Sequence, residues 1–282
     1  MKVHCVGIGG IGLSALARFF LSLGWQVSGS DMHGSKLTED LEREGVSISI
    51  GHNGRNIPPG TGLVVYSAAI AKNNPELIAA KSIGIKTQTY AQALGEFTKH
   101  HLTIAICGSH GKSTTTSLIA LILAAGGLDP TVIVGTKLRE FGNTNFRKGT
   151  SRYLVIEADE YSRSFLNYQP TVAVVTNIDK EHLDTYRTFA GVAQGFKKFL
   201  SRVPKNGVII ANWRDRAVRT VAAQAAKKKR AQVVWYNRVK FKRHPLLILG
   251  THNQETAEAA WQTAKLSGVR KTTADDVFSS FA

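Results

Sequence analysis

The stretch CGSHGKSTTT, from Cys107 to Thr116, leaves few architectures open to the chain that contains it. It follows the apolar run LTIAI and passes straight into SLIALILAAGG, so a short buried strand is expected to turn through glycines into a helix. At such a turn Gly111, Lys112 and Ser113 offer backbone N–H groups to phosphates, an ammonium to β/γ oxygens and a hydroxyl to Mg2+. The longer form of this loop would place a glycine at 106, where Ile106 stands, so on its own the match is imperfect.

A second glycine loop, Gly7-Ile-Gly-Gly-Ile-Gly12, follows KVHCVGI and opens LSALARFFLSLG, and Asp31 stands 19 residues beyond Gly12 at the end of the next apolar run. This spacing fits G-x-G-x-x-G. It suits NAD(P) or FAD, another diphosphate such as that of a UDP-sugar, or a purely structural turn, and spacing does not choose among them. Strand-like and helix-like segments alternate from Met1 to about Gly95, and the same grammar restarts at LTIAICG with YLVIEAD, VAVVTNI, FAGVAQGFKKFLSRV and GVIIAN. The expected fold class is α/β. An N-terminal Rossmann-like parallel-sheet domain should occupy residues 1–98, and a central P-loop ATPase-like domain residues 99–282. Further on, THNQETAEAAWQTAKLSG has helical spacing, with Thr251 as its start signal.

The apolar strand YLVIEADEYS ends in Glu157, Asp159 and Glu160, and VAVVTNIDKEHLD ends in Asn177, Asp179, Glu181, His182 and Asp184. At the C-terminal ends of parallel strands such groups gather where a phosphate loop points. They either complete a Mg2+ shell that Ser113 begins or are solvated loop charges.

With 43% hydrophobic and 20% charged residues among 282, the chain can build packed cores and is not globally disordered. The formal charge is +16, yet the first hundred residues hold nine basic and seven acidic side chains, so nearly all of the excess lies further on. Such a field suits a nucleotide or an anionic sugar; no nucleic-acid-binding motif accompanies it, so nucleic acid is not the expected partner. Lys227-Lys228-Lys229-Arg230 and the later Arg238, Lys240, Lys242 and Arg243 read first as a solvated basic face. Cys5 and Cys107 each close an apolar run ahead of a glycine loop and read as core filler. The N-terminus carries no basic n-region or cleavage site, and no apolar run reaches the ~20 residues that cross a bilayer. A cytoplasmic chain without membrane insertion is expected.

The segments GIGGIGLSALARFFLSLGWQVSGSD, VVYSAAI, GSHGKSTTT, EADEYSRSFL, TNIDKEHLDTY and GTHNQETAEAA stand in the order, and at about the distances, found in the Mur ligases. The chain resembles that family over nearly its whole length. The resemblance implies a UDP-sugar on the first loop, through Gly9, Gly10, Ile11 and Gly12 with Ser30, Asp31 and Ser67 nearby. It implies ATP on Gly108, Ser109, His110, Gly111, Lys112, Ser113 and Thr114, with His252 and Asn253 at the adenine. Lys112, Glu157 and His182 would be catalytic, and Ser113, Glu157 and His182 would hold Mg2+. The implied reaction joins L-alanine to the lactyl carboxylate of UDP-N-acetylmuramate through an acyl phosphate, in peptidoglycan precursor synthesis. His110 would contact that carboxylate or serve as a local hydrogen-bonding residue. A preformed tripeptide in place of L-alanine, or a non-catalytic relative that binds UDP-sugar and ATP, stays open at this point.

The chain departs from the family pattern in places. The adenine segment HNxxN reads HNQET, with Thr256 at the second Asn. The tract between Asn212 and Gly250 is short and basic, so a small sheet there is expected to be reduced. The resemblance also implies a C-terminal ligase domain beyond Ala282, needed in cis or in trans for full activity.

Overall fold

The computed structural model describes residues 1–238, 244–248 and 250–281. They form two compact units, Met1–Leu94 with Gly135–Lys148, and Gly95–Val134 with Gly149–Ala282. In the first, β1 (Lys2–Val6), α1 (Ile11–Ser22), β2 (Gln26–Asp31), α2 (Lys36–Arg43), β3 (Ser47–Ile50), β4 (Leu63–Tyr66), α3 (Pro75–Ser82) and β5 (Lys86–Thr89) follow in turn, and α4 (Tyr90–Thr98) leads on. The strands make a five-stranded sheet in the order β3-β2-β1-β4-β5, each pair parallel. Val3, His4, Cys5 and Val6 are all buried, because a parallel strand is covered on both faces; hence burial does not alternate along KVHCV, and polar His4 is enclosed with its apolar neighbours. The order reverses at β1, and the Gly7–Gly12 loop leaves its C-terminal end, where such sheets open a crevice. Helix starts follow local chemistry: Ser35 and Thr38 form a capping box at α2, and Asn74 caps α3 ahead of Pro75.

In the second unit β6 (Leu102–Cys107) and α5 (Lys112–Ala125) precede β7 (Thr131–Leu138), which runs into an excursion carrying β8 (Thr144–Arg147). The chain continues through β9 (Tyr153–Glu157), β10 (Val172–Val175), α6 (Leu183–Tyr186), α7 (Phe189–Leu200), β11 (Val208–Asn212), α8 (Arg216–Lys229), β12 (Gln232–Tyr236), α9 (Thr251–Leu266) and α10 (Lys271–Ser280). The sheet order is β12-β11-β10-β6-β9-β7-β8, parallel from β12 through β7. The chain thus adopts the expected α/β architecture, with a parallel first sheet and a mixed second one. Ile106 pairs with Glu157 and Cys107 with Val175, so β6, β9 and β10 end level with one another. Behind them α5 buries Leu118, Ile119, Ile122 and Leu123, and Phe165 stacks on Phe199 at 4.8 Å.

The excursion Gly135–Lys148 belongs with the first unit, which a single linear cut after residue 98 does not capture. Its buried Asn145 accepts a hydrogen bond from Arg18 Nη1 at 2.8 Å and donates to Ser14 Oγ at 3.0 Å and to the carbonyl of Ile11. Arg18 also pairs with Glu44 at 2.8 Å. These contacts pin the first turns of α1.

Both cysteines are buried and unbridged, and burial pushes the Cys5 thiol up to about 12, as core filler requires. Thr251 is the first residue of α9 and not its cap: the cap position falls on Gly250, and no side chain bonds there. Among the described residues between Asn212 and Gly250 the regular elements are α8 and β12. Lys227, Lys228 and Lys229 fill the last turn of α8, where cations oppose the helix dipole. Arg238 lies 4.9 Å over the Trp213 ring; Lys240, Lys242 and Arg243 fall outside the described residues. Among the described residues no helix is long and apolar enough to cross a membrane.

Candidate functional site

The first glycine loop is hung from the end of β2. Gly7 and Ile8 N–H both donate to the Ser30 carbonyl, at 2.8 and 3.0 Å, and Gly9 N–H donates to Asp31 Oδ2 at 2.8 Å. Gly10 is the cap of α1 without any side-chain bond, and Ile11 and Gly12 open the helix, so backbone N–H groups face outward at its start. A Cβ on Gly7 would stand 3.2 Å from that of Ser67, which places Ser67 beside the loop. The Ser30 hydroxyl points the other way. It is buried and donates to Glu76 Oε2 at 2.6 Å, so Ser30 serves the loop through its carbonyl.

Glu76, wholly buried at the start of α3, gathers His4 Nε2 at 3.0 Å, Ser30 Oγ, Asn53 N–H at 3.1 Å and Asn56 Nδ2 at 2.8 Å. Burial alone pushes this carboxyl up, but the hydrogen bonds from His4, Ser30 and Asn56 outweigh it and hold it at about 2. A depressed folded value means that the stabilisation is complete above about pH 4.5 and is lost as pH falls toward 2. Glu76→Gln should therefore cost about 3 kcal/mol at neutral pH and flatten the acid limb of stability. Urea unfolding of both proteins across that range is the check, and identical pH dependence would refute the assignment.

The second loop is braced from β10. Ser109 N–H donates to the Asn177 carbonyl at 3.1 Å, His110 N–H to Asn177 Oδ1 at 2.7 Å, and Thr176 Oγ1 to the His110 carbonyl at 2.7 Å. Asp179 N–H donates to Ser109 Oγ at 2.9 Å. A Cβ on Gly108, at φ 140°, would lie 1.9 Å from Thr176 Oγ1, so only glycine lets β6 pass so close. In α5 the hydroxyls of Thr115, Thr116 and Ser117 turn back onto carbonyls of the preceding turn. Ser113 Oγ instead donates to Glu157 Oε1 at 3.2 Å. Thr114 sits half-buried between them.

Lys112 Nζ curls back onto the loop, donating to the carbonyls of Gly108 at 2.7 Å and Ser109 at 3.3 Å and to Glu160 at 3.0 and 3.2 Å. Burial pushes the Glu160 carboxyl up, against the opposing pull of Lys112. Tyr186 Oη donates to the Glu160 carbonyl at 2.8 Å, and His182 Nε2 stands 3.7 Å from Glu160 Oε1. Ligand atoms of Asp159, Glu160 and His182 all lie within 4.8 Å of one another. The expected trio is thus arranged as Ser113 bonded to Glu157, and His182 beside Asp159 and Glu160. The structure therefore shows two neighbouring groupings and not one closed trio; the Ser113 hydroxyl and Glu157 carboxylate are oxygen donors of the kind that suits a hard divalent cation. His110 presents its exposed ring between Asp179 at 3.6 Å and Glu181 at 3.5 Å.

His252 and Asn253 occupy the first turn of α9. That turn is tied to the end of β11, where Asn212 Nδ2 donates to Glu255 at 3.3 Å. Thr256 is buried, with Oγ1 3.4 Å from where a Cβ on Gly111 would be, so it packs beneath the phosphate loop. Thr176 and Asn177, which hold that loop, open the segment TNIDKEHLDTY, but nothing in that segment marks them as the loop's braces. Their one signal is position, directly after a strand adjacent to β6.

The description "Mur ligase family, catalytic domain" matches residues 2–102, and "Mur ligase middle domain" matches residues 106–266. The chain belongs to the Mur ligase family. Among curated relatives, the UDP-N-acetylmuramate–L-alanine ligase of Desulfosudis oleivorans is 47% identical over 208 residues, 74% of this chain and 45% of that protein. The ligase of the same name from Aquifex aeolicus is 45% identical over 235 residues, 83% of this chain and 50% of its own. This Mur ligase chain therefore spans about half the length of the curated relatives it matches. The solved UDP-N-acetylmuramate:L-alanyl-gamma-D-glutamyl-meso-diaminopimelate ligase of Neisseria meningitides superposes with a TM-score of 0.90 at 23% identity, covering 100% of this chain and 98% of that one. A UDP-N-acetylmuramate–alanine ligase from Thermotoga maritima gives 0.83 at 23% identity, covering 100% and 68%. At such identities the likeness speaks for the Mur ligase fold.

Proposed function

We propose that the chain supplies the UDP-sugar-binding and ATP-binding parts of a ligase that joins L-alanine to the lactyl carboxylate of UDP-N-acetylmuramate in peptidoglycan precursor synthesis. The observation that carries this reading is the Ser113–Glu157 bond beside the Lys112 loop, in a chain whose relatives at 44–50% identity bear that ligase's name. Residues 1–98, completed by the excursion, hold the UDP diphosphate at Gly9, Gly10, Ile11 and Gly12; residues 99–282 hold ATP.

In this reading the loop from Gly108 to Thr114 cradles the phosphates, with Asn177 holding the N–H groups of Ser109 and His110 and those of Gly111 to Thr114 turned to the ligand, and His252 and Asn253 meet the adenine. The lactyl carboxylate attacks the γ-phosphorus, the bond to ADP breaks, and an acyl phosphate results. The amine of L-alanine then attacks the acyl carbon, phosphate departs, and the amide remains once the nitrogen has lost a proton. Two anions meet in the first step, so the ammonium of Lys112 is this chain's main contribution against the charge that builds on the moving phosphoryl group. Ser113, Glu157 and His182 would hold Mg2+, which when bound neutralises phosphate charge. His110 would meet the substrate carboxylate or serve as a local hydrogen-bonding residue. A C-terminal ligase domain, in cis or in trans, closes the site and excludes water. The reaction belongs in the cytoplasm, where ATP is made available to it.

The test is mass-spectrometric detection of amide from the chain with ATP, Mg2+, UDP-N-acetylmuramate and L-alanine, with and without a separately produced C-terminal domain of a relative. Product that requires L-alanine supports the reading. No product in either arm, while both ligands bind, leaves a binding protein and overturns it. The loops can also be told apart: a Cβ on Gly9 would lie 2.9 Å from Asp31 Oδ2, so Gly9→Leu should displace Asp31 and cover the amides. Its affinity for UDP-N-acetylmuramate should fall roughly a hundredfold with ATP affinity unchanged. Equal loss of both in calorimetric titration would sink the assignment of separate sites.

A further inference from the structure

A lysine ammonium has three protons to donate. Those of Lys112 are directed at the Gly108 carbonyl, the Ser109 carbonyl and Glu160. No donor is left over for a phosphate oxygen. Of these partners the two carbonyls belong to the loop itself and cannot leave, so the replaceable one is Glu160.

Glu160 is not a surface group that has drifted onto a cation. Its side chain is 1% exposed, against 13% for Lys112. Its carbonyl is held by Tyr186 Oη and by Arg163 N–H at 2.9 Å. Immediately afterwards Ser162 and Arg163 adopt φ values of 50° and 59°, a left-handed conformation that fixes the direction in which the chain leaves. The carboxylate is built into position, facing the ammonium that a phosphate loop reserves for its ligand.

We propose that Glu160 is a positioning residue: it is the resting counter-ion of Lys112, and nucleotide enters by exchanging phosphate oxygens for this carboxylate. The inference rests on the reading of the Lys112 loop as a nucleotide site. A buried ammonium without a partner would be costly, so the internal anion keeps Lys112 folded back onto the loop until nucleotide arrives. The same anion must then be displaced, which weakens nucleotide binding relative to a loop without it. His182, 3.7 Å from Glu160 Oε1, is the neighbour toward which the displaced carboxylate turns.

Glu160→Gln keeps the shape and removes the charge. Calorimetric titration with ATP in the presence of a chelator, so that no divalent cation takes part, should show roughly tenfold tighter binding than the parent chain. A gain of affinity is a result that misfolding does not produce. In the ligand-free proteins, labelling of Lys112 by an amine-reactive reagent, followed by peptide mass mapping, should be faster in Glu160→Gln, and ATP should protect both. Unchanged or weaker metal-free binding would overturn the inference, as would equal labelling rates. Normal metal-free binding combined with a raised Mg2+ requirement would make Glu160 a cation ligand instead. The two readings fail differently: a parent chain that shows no ATP binding and no protection of Lys112 refutes the nucleotide site, and the exchange with it, whereas binding that is lost in Lys112→Ala but not improved in Glu160→Gln refutes only the exchange.

Discussion

Lys112→Ala should lower ATP-dependent amide formation by roughly 10³-fold or more, with the affinity for UDP-N-acetylmuramate held within about twofold. The ammonium bonds the Gly108 and Ser109 carbonyls of the phosphate loop, so alanine at this position removes the cation from the loop itself. The substitution has a second, separable effect. It leaves the buried Glu160 carboxylate without its cation, and breaking a buried pair in this way costs about 3 kcal/mol. The double variant Lys112→Ala/Glu160→Gln should regain most of that stability and none of the activity. Product assays and thermal unfolding of the single and double variants check both halves. Parallel loss of UDP-sugar binding would mean that the two loops are not separate sites.

Gly108→Ala carries the next largest expected effect. The new methyl would have to occupy space 1.9 Å from Thr176 Oγ1, at a φ of 140° that residues with a Cβ avoid. Either β6 withdraws from β10 or Thr176 gives up its bond to the His110 carbonyl. Each outcome moves the amides that face the phosphates. The variant should melt roughly 10 °C lower and lose measurable ATP binding. Removing the clash by Thr176→Ala in the same chain relieves the crowding but not the backbone strain, so about half of the melting temperature should return. A Gly108→Ala protein with parent-like melting and ATP affinity would contradict the account of the loop.

Much of the fold was readable because its signals are local. KVHCV and LTIAIC are short, mostly apolar runs leading directly into glycine, and that juxtaposition suffices to place a buried parallel strand, a crevice and a helix start. The carboxylates that follow YLVIE were readable for the same reason, since strand ends in a parallel sheet share one edge. What escaped is long-range. Asn145 acts on a residue 127 positions away, and neither its type nor its surroundings in sequence mark it as buried. Glu160 looks like one more charge in a polar loop, and only its burial against Lys112 distinguishes it from Asp159. Ser30 was legible as a loop neighbour, but the direction of its hydroxyl depends on Glu76, 46 residues on. The threonine at 251 misled because its residue type favours a cap, whereas the chain turns one residue earlier, at Gly250.

The excursion from Gly135 to Lys148 governs how a laboratory could dissect this protein. A gene fragment ending at residue 98 would contain every strand of the first sheet and the whole glycine loop, yet would lack Asn145. Arg18 and Ser14, both buried, and the carbonyl of Ile11 would each lose a partner at the helix that follows the loop. Such a fragment should express as a loosened, protease-sensitive half. Adding the excursion back as a tethered segment, by circular permutation or a designed linker, is the route to a first unit that stands alone.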